Sequence, residues 1–227
     1  MEKYRFNEKR HLHELFVDGQ WKPLTGITTI LSIVAKPALI QWSANQTVEY
    51  IKNNFKGELT EELLKEAKYF HRKKKEKAGD WGTEIHALIE KYIKTGEENE
   101  KIKNFIDWVK NNKVKFLESE RNIYSEKHFL GGIVDFVCEI NGEIWIGDIK
   151  TSKSGLYAEN MWQMAGYEII LNECSEYKDI KGYVLLNLKE NGEFQEKRTT
   201  SNQEHQKAFL ACLEIYRQKE KTNNQIL

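Results

Sequence analysis

Residues 133–150 read IVDFVCEINGEIWIGDIK, and this stretch decides the fold of the chain. Its centre, Asn141-Gly142, is the strongest short-range signal for a two-residue β-hairpin turn. The segments on either side of the turn are rich in β-branched and other apolar residues, which favour strands. The sequence therefore predicts a hairpin in which Ile140 pairs with Glu143.

That register carries two carboxylates to facing positions. If Ile140 pairs with Glu143, Val137 lies opposite Ile146 and Asp135 lies opposite Asp148. Side chains alternate along a strand, so Lys150 shares a face with Asp148. Like charges directly opposite each other destabilise a sheet unless something offsets the repulsion. A divalent metal ion is the candidate, with the nearby ammonium group as its partner in chemistry.

Composition limits the class of protein. The 227 residues include 40% hydrophobic and 11% aromatic residues, enough for a substantial core, and the formal net charge is zero. Any attraction for phosphate must therefore be local. The three cysteines are scattered and odd in number, which favours reduced thiols. No apolar run approaches the roughly 18 residues of a membrane span, and the opening MEKYRFNEKR lacks the apolar core of a signal peptide. We expect a cytoplasmic protein without membrane contact.

The first part of the chain is typical of helices. After a short strand and turn within 14–24, Pro37 fits the first position of a helix to about Asn54. Its expected buried stripe is Leu39, Trp42, Val48 and Ile51. Thr60 is expected to cap a second helix, which runs into a basic stretch at 71–77. Gly79 and Gly82 are expected to end that helix, and Thr83 to cap a third one to about Lys94.

From residue 120 the pattern changes to period two. We expect a strand near 123–129, the hairpin, a helix near 157–172 and strands near 180–188 and 194–199. Asn202 is expected to start a closing helix to about Lys219. The chain therefore reads as one α/β domain, with a helical N-terminal portion (about 1–79), a core with a central mixed sheet flanked by helices (about 80–200) and a C-terminal helix (about 201–227).

Several chemistry-bearing residues surround the hairpin. Asp135 and Asp148 are hard oxygen ligands suited to Mg²⁺ or Mn²⁺, and the intervening Ile149 carbonyl offers a further oxygen. Two i,i+4 pairs, each on one helix face, add an imidazole, a carboxylate, an amide and a phenol. These pairs are His86 with Glu90 and Gln163 with Tyr167. Together these groups suit metal-assisted hydrolysis of a phosphodiester.

The ordered series of motifs resembles a known family, the PD-(D/E)XK nuclease superfamily. The motifs are Gly82-Thr83-x-x-His86, Gly132-x-x-Asp135, Asp148-x-Lys150 and Gln163-x-x-x-Tyr167. The branch it resembles includes the RecB nuclease domain, Cas4-like proteins, phage exonucleases and the mitochondrial genome maintenance exonuclease. The resemblance covers roughly residues 80–170. Two departures, Val134 where proline is frequent and Asp148 where glutamate is commoner, are both tolerated within that superfamily.

The resemblance implies a restriction-endonuclease-like core and a Mg²⁺- or Mn²⁺-dependent deoxyribonuclease, with an exonuclease of recombination, repair or replication favoured. It implies metal ligation by His86, Asp135, Asp148 and the Ile149 carbonyl, and catalysis by Asp135, Asp148, Lys150 and Gln163. Supporting or DNA-contacting roles fall to Glu90, Glu126, Thr151, Ser152 and Tyr167. No iron–sulfur cluster is expected, because the iron–sulfur branch of the superfamily places four cysteines around the core and this chain has three scattered ones.

Some alternatives stay open at this level. A structure- or site-specific endonuclease, RNA as substrate and an inactive nucleic-acid-binding module of the same fold all fit the motifs. The basic run offers a phosphate-contacting patch formed by Arg72, Lys73, Lys74, Lys75 and Lys77, or else a solvated helix end. The expected partners are single- or double-stranded DNA and, as a further candidate, a single-strand annealing or recombination protein. A phage-encoded protein acting in the host cytoplasm is one candidate setting, and the oligomeric state is open.

Overall fold

A computed structural model of the chain describes residues 3–174, 177, 179–201 and 203–226. The strands are β1 (Tyr4–Asn7), β2 (Leu12–Val17), β3 (Gln20–Pro23), β4 (Thr25–Gly26), β5 (Lys115–Ser125), β6 (Leu130–Ile140), β7 (Glu143–Lys150), β8 (Ile180–Leu188) and β9 (Phe194–Thr200). The helices are α1 (Ile27–Leu31), α2 (Pro37–Asn54), α3 (Glu61–Thr95), α4 (Lys103–Asn112), α5 (Ala158–Cys174) and α6 (Gln203–Ile226), and a 3₁₀ turn spans Glu100–Ile102. Ala35–Glu84 form one compact unit, and the rest of the chain forms the other.

The larger unit has a mixed α/β architecture with a central mixed sheet flanked by helices, as predicted. Its six-stranded sheet has the order β4-β6-β7-β8-β9, and β5 pairs with the other edge of β6. The β7–β8 and β4–β6 pairs are parallel, and the other pairs are antiparallel. A separate antiparallel sheet contains β1, β2 and β3. The architecture is consistent with a restriction-endonuclease-like fold.

The predicted hairpin is confirmed in turn and register. Asn141 and Gly142 both have positive φ, 52° and 80°, as the type I′ turn requires. Ile140 pairs with Glu143 and Val137 with Ile146. The turn therefore fixes the positions of all residues that follow on both strands.

Strands β6 and β7 separate just before the two aspartates, so the ladder does not include the predicted Asp135–Asp148 pair. Their pairing ends at Phe136 and Gly147, one residue before Asp135 and Asp148. Beyond that point β7 continues alongside β8 as far as Lys150. The point where β6 and β7 separate, at Asp135 and Asp148, is here called the fork. There the backbone of β7 has no strand partner on the β6 side, so side chains can hydrogen-bond to it.

Helices cover both faces of this sheet because its strands are apolar on both sides. One face carries the main core, in which α5 residues such as Met164 and Ile170 are fully buried against β6, β7 and β8. The Phe136 ring on the other face packs against Phe105 and Trp108 of α4. A Cβ at Gly147 would lie 1.9 Å from that ring, so this position requires glycine. The packing holds the fork on a rigid support.

The smaller unit contains α2 and the first two-thirds of α3. Helix α2 has the predicted bounds, with Pro37 at its first turn, but its predicted buried stripe is wrong. Leu39 and Val48 are more than half exposed and Trp42 is exposed, whereas the buried residue is Gln46. The predicted positions do not share one face at 100° per residue, and a polar face packs inward instead.

The predicted break at Gly79 and Gly82 is also wrong. Helix α3 runs without interruption through both glycines, and the Thr83 hydroxyl donates to the Gly79 carbonyl inside the helix instead of capping a new one. Glycine lowers helix propensity by about 1 kcal/mol, which a long helix with many other hydrogen bonds can absorb. The predicted cap at Thr60 is confirmed by the bond from the Leu63 N–H to its hydroxyl.

Two further boundaries differ from the expectations, and a third is not tested. Residues 1–79 are only partly helical, because strands β1 to β4 precede the helices. Strand β5 begins at Lys115, well before the predicted 123. Asn202, the expected start of the closing helix, lies outside the described residues. The prediction of one nuclease domain over the whole chain stays a prediction. No helix among the described residues is long and apolar enough to cross a membrane.

Candidate metal centre

The buried side of the fork, here called the lysine half, consists of Asp148, Lys150, Gln163 and Tyr167. Lys150 Nζ lies 2.6 Å from Asp148 Oδ2, which confirms that the two side chains share a face. Gln163 of α5 links both, because its Nε2 donates to Asp148 Oδ1 and its Oε1 accepts from Lys150 Nζ, each at 3.2 Å. Its Nε2 also lies 2.8 Å from Tyr167 Oη. The predicted pair of α5 residues thus meets the hairpin.

Gly132 makes room for this arrangement. A Cβ there would lie 2.8 Å from Cε1 of Tyr167, closer than real Cβ contacts. Tyr167 is almost fully buried, so its ring has nowhere to retreat. The glycine of the Gly132-x-x-Asp135 motif therefore has a packing reason.

The more exposed side of the fork, here called the histidine half, contains His86, Glu120 and Asp135. One ligand atom from each of these residues lies within 4.8 Å of the other two. His86 Nδ1 lies 3.7 Å from Asp135 Oδ2 and 3.9 Å from Glu120 Oε1. His86 and Glu120 are about one-third exposed, whereas the Asp148 side chain is 2% exposed. The histidine half is therefore the side that solvent and ligands reach.

Ile149 connects the two halves through its backbone. Its N–H donates to Asp135 Oδ2 at 2.6 Å, so a side chain takes the place of a strand partner at the fork. Its carbonyl oxygen lies 3.2 Å from His86 Nε2. When Nε2 carries the proton and donates to this carbonyl, the lone pair of Nδ1 faces the two carboxylates.

The aspartate at the fork has an unusual protonation equilibrium. Burial, together with the negative charge of Asp148, raises the pKa of Asp135 to about 7, although His86 and Lys150 oppose this shift. Burial lowers the pKa of His86, but Glu120, Asp135 and Asp148 outweigh it and leave that pKa raised. An aspartate and a histidine that contact each other thus both have raised pKa values, which is typical of sites with a chemical role.

The lysine half keeps its groups in one protonation state. Burial lowers the pKa of Lys150, but the charges of Asp148 and Asp135 outweigh burial and raise it, so the side chain is an ammonium group. Burial raises the pKa of Tyr167 well above its ordinary value, so its hydroxyl stays protonated. These groups are suited to donating hydrogen bonds and positive charge.

The donor set of the histidine half fits a divalent cation. Two carboxylates and one imidazole suit Mg²⁺, Mn²⁺ and related ions. Cis ligands of an ion with bonds of about 2.1 Å lie roughly 3 Å apart, and trans ligands about 4 Å apart. The measured distances between His86 Nδ1 and the two carboxylates are close to that range. The predicted ligand Asp148 instead has Lys150 and Gln163 as partners here.

Glu120 is a residue that the sequence reasoning missed. It lies on β5 between Ser119 and Arg121, whose partners on β6 are Phe136 and Val134, so Glu120 faces Asp135. Its φ is 48°, a left-handed conformation that glutamate rarely adopts and that often marks functional sites. The strand was predicted to begin at 123, which hid this position.

The other predicted supporting residues lie apart from the cluster. Glu126 follows the end of β5, is half exposed and lies 4.0 Å from Lys3. Glu90 forms an ion pair with Lys94 on the same helix. Thr151 and Ser152 directly follow Lys150, and the Ser152 hydroxyl contacts that of Ser154 at 3.0 Å. Their predicted roles stay predictions.

The predicted basic patch is divided between helix faces. Lys73 forms an ion pair with Glu66, and Lys74 contacts both Glu49 and the amide of Gln46. Arg72 lies beside the ring of Tyr69. Lys75 and Lys77 are exposed.

Comparisons with known proteins give distant structural similarities. No family model and no curated protein sequence matches the chain. The solved structure of SSO0001 matches with 13% identity and a TM-score of 0.30, over 51% of this chain and 56% of that one. An alkaline exonuclease from Laribacter hongkongensis matches with 11% identity and a TM-score of 0.34, over 64% of this chain and 86% of that one. The chain thus spans little more than half of the first of these proteins.

Proposed function

We propose that the protein is a metal-dependent nuclease that hydrolyses phosphodiester bonds in DNA. One observation supports this most directly: a half-buried His86–Glu120–Asp135 cluster lies beside a half-buried ammonium group, that of Lys150, which Asp148 and Gln163 hold in place. A cation site next to a fixed positive charge suits a reaction in which negative charge grows on phosphate oxygens.

In this proposal His86, Glu120 and Asp135 hold a divalent ion, Mg²⁺ or Mn²⁺. The Ile149 carbonyl and Asp148, predicted from the resemblance, remain candidate ligands. When bound, such an ion polarises phosphoryl oxygens and makes water more acidic. The Ile149 backbone fixes the geometry, because its N–H holds Asp135 and its carbonyl orients His86.

Lys150 provides the fixed charge of the reaction. As an ammonium group with 24% of its side chain exposed, it can donate a hydrogen bond to the scissile phosphate while Asp148 holds its other side. Gln163 prevents the two charged groups from reorienting, since it contacts both. Tyr167 supports Gln163 from the core.

We further propose an exonuclease of DNA recombination, repair or replication, acting on single- or double-stranded ends. An endonuclease that cuts structured or specific sites is the alternative within the same chemistry. End-labelled linear DNA and closed circles, incubated with Mn²⁺ or Mg²⁺, separate the two. A strict exonuclease degrades linear substrates and leaves closed circles intact.

Substitutions test the roles directly. Asp135→Ala and Lys150→Ala should each lower the cleavage rate by at least about 10³-fold while the circular dichroism spectrum stays native. Lys153→Ala is the matched control, because Lys153 is exposed and paired with Glu190, and it should cleave at the wild-type rate. Full activity of the Lys150 variant contradicts the mechanism. Binding of DNA without cleavage in either metal favours the inactive binding module instead.

A further inference from the structure

One face of α3 within the smaller unit carries cations in a regular arrangement. Lys65, Lys68, Arg72 and Lys75 are spaced three, four and three residues apart, so they project from the same side of the helix. At 1.5 Å per residue the row is about 15 Å long. All four side chains are exposed. Together with Tyr69 they are called the basic stripe below.

Most neighbouring cations on α3 differ in having acidic partners. Lys73 is paired with Glu66 and Lys74 with Glu49, both within the same unit. Among the residues that the structure describes, no carboxylate forms an ion pair with the four cations of the basic stripe. Other exposed lysines have such a partner, for example Lys103 with Asp107. The stripe therefore concentrates positive charge in a chain whose net charge is zero.

An aromatic ring lies among these cations. Tyr69 is 37% exposed, with Lys68 Nζ 5.7 Å and Arg72 Cζ 5.0 Å from its ring centroid. The two cation–π contacts place the ring among the cations of the stripe. An aromatic ring between cations is the arrangement by which proteins bind single strands, with bases stacking on the ring and phosphates meeting the cations.

We propose that the basic stripe of α3 binds the sugar-phosphate backbone of a single nucleic-acid strand, with Tyr69 stacking on one of its bases. The identity of the ligand rests on the proposed nuclease function. A row of about 15 Å spans several successive phosphates of a strand. Three carboxylates border the row: Glu61 and Glu62 line the same surface depression as Lys65, Lys68 and Tyr69, and Glu76 directly follows Lys75. They repel the strand and limit affinity.

Fluorescence anisotropy with labelled oligonucleotides in EDTA tests the proposal without cleavage. The probes are a 20-nucleotide DNA strand, its duplex and the equivalent RNA strand. The test variant is Lys65→Gln/Lys68→Gln/Lys75→Gln. The matched control is Lys103→Gln/Lys110→Gln/Lys207→Gln, which removes three positive charges from exposed lysines that all have acidic partners.

We expect the test variant to raise Kd for the DNA strand at least about tenfold and to reduce the slope of log Kd against log salt by about 2. The control should change Kd less than about twofold. Glu76→Gln should tighten binding, because it removes a negative charge. Tyr69→Ala should weaken binding of the single strands about tenfold and leave the duplex nearly unchanged. The RNA arm shows whether the stripe separates the two kinds of backbone.

Equal losses in the test and control variants, or a wild-type protein that binds no strand, overturn the proposal. Its failure is separable from that of the nuclease function. If the wild-type protein cleaves DNA and the test variant binds DNA as tightly as wild type, only the proposal for the basic stripe is contradicted. If the protein binds DNA through the stripe but cleaves it in neither metal, only the proposed nuclease function is contradicted.

Discussion

The two halves of the candidate site differ in how their charged groups are arranged. In the lysine half, Asp148, Lys150 and Gln163 hold one another at hydrogen-bonding distances beneath α5. In the histidine half, His86 Nδ1 lies 3.7 Å from Asp135 and 3.9 Å from Glu120, and the side chains of His86 and Glu120 are about one-third exposed. One half is therefore completed by the fold itself, whereas the other presents charges to a ligand.

The largest expected effect separates the halves by stability. Asp148→Ala should lower the free energy of unfolding by about 3 kcal/mol, because it leaves the Lys150 ammonium group largely buried without its counter-charge. Glu120→Ala should change it by less than about 1 kcal/mol, since its side chain is one-third exposed and its residue strained. Urea unfolding in EDTA measures both. Equal losses contradict the division into two halves.

Metal binding should stabilise the protein through the residues of the histidine half. Mn²⁺ at about 100 times its Kd should raise the free energy of unfolding of the wild-type protein by about 2.7 kcal/mol. Glu120→Gln should lose most of this gain, because it removes a ligand. Glu126→Gln is the matched control, an acid beyond the end of the same strand, and should keep the gain. Thermal unfolding with and without Mn²⁺ decides between the two glutamates, and the reverse result would restore Glu126 as the acid of the site.

The two halves also differ in how far the sequence predicted them. The lysine half follows from local rules: a turn sets the register that brings Asp148 and Lys150 onto one face, and an i,i+4 pair adds Gln163. Glu120 could not be found that way. It depends on where β5 begins and on a left-handed residue within the strand, which breaks the period-two pattern. Rules based on local sequence, such as period-two alternation in strands, cannot identify a residue whose backbone conformation breaks that alternation.

The smaller unit shows a second limit of pattern reading. The bounds of α2 followed from Pro37 and composition, but its buried face did not, because partners distant in sequence decide which side packs. The continuity of α3 through Gly79 and Gly82 has the same origin. The low helix propensity of glycine predicts that a helix ends there, but the summed hydrogen bonds of a 35-residue helix outweigh two unfavourable residues.

Paired glycine substitutions test whether the lysine half depends on close packing. Gly132→Ala should lower the free energy of unfolding by about 2 kcal/mol and reduce cleavage, because the new methyl group displaces Tyr167 and with it Gln163. Gly79→Ala, on a helix surface with open space, should raise it by about 0.5 to 1 kcal/mol. Denaturant titrations of the two variants should therefore shift in opposite directions. A neutral Gly132→Ala removes the packing argument for the motif.

Protonation in the histidine half should make the stability of the metal-free protein depend on pH. The pKa of Asp135 is about 7 in the folded protein and near 3.8 in the unfolded chain, so the folded state binds more protons between these values. Stability without metal should therefore fall as pH rises from about 4 to 7.

Asp135→Asn mimics the neutral acid and still accepts from the Ile149 N–H. Relative to wild type its free energy of unfolding should be higher at pH 8 and little changed at pH 4. Urea unfolding in EDTA across this pH range measures the difference. If the difference in free energy of unfolding between Asp135→Asn and wild type does not change with pH, the folded protein does not raise the pKa of Asp135. The repulsion between Asp135 and Asp148 would then be too weak to distinguish the two halves.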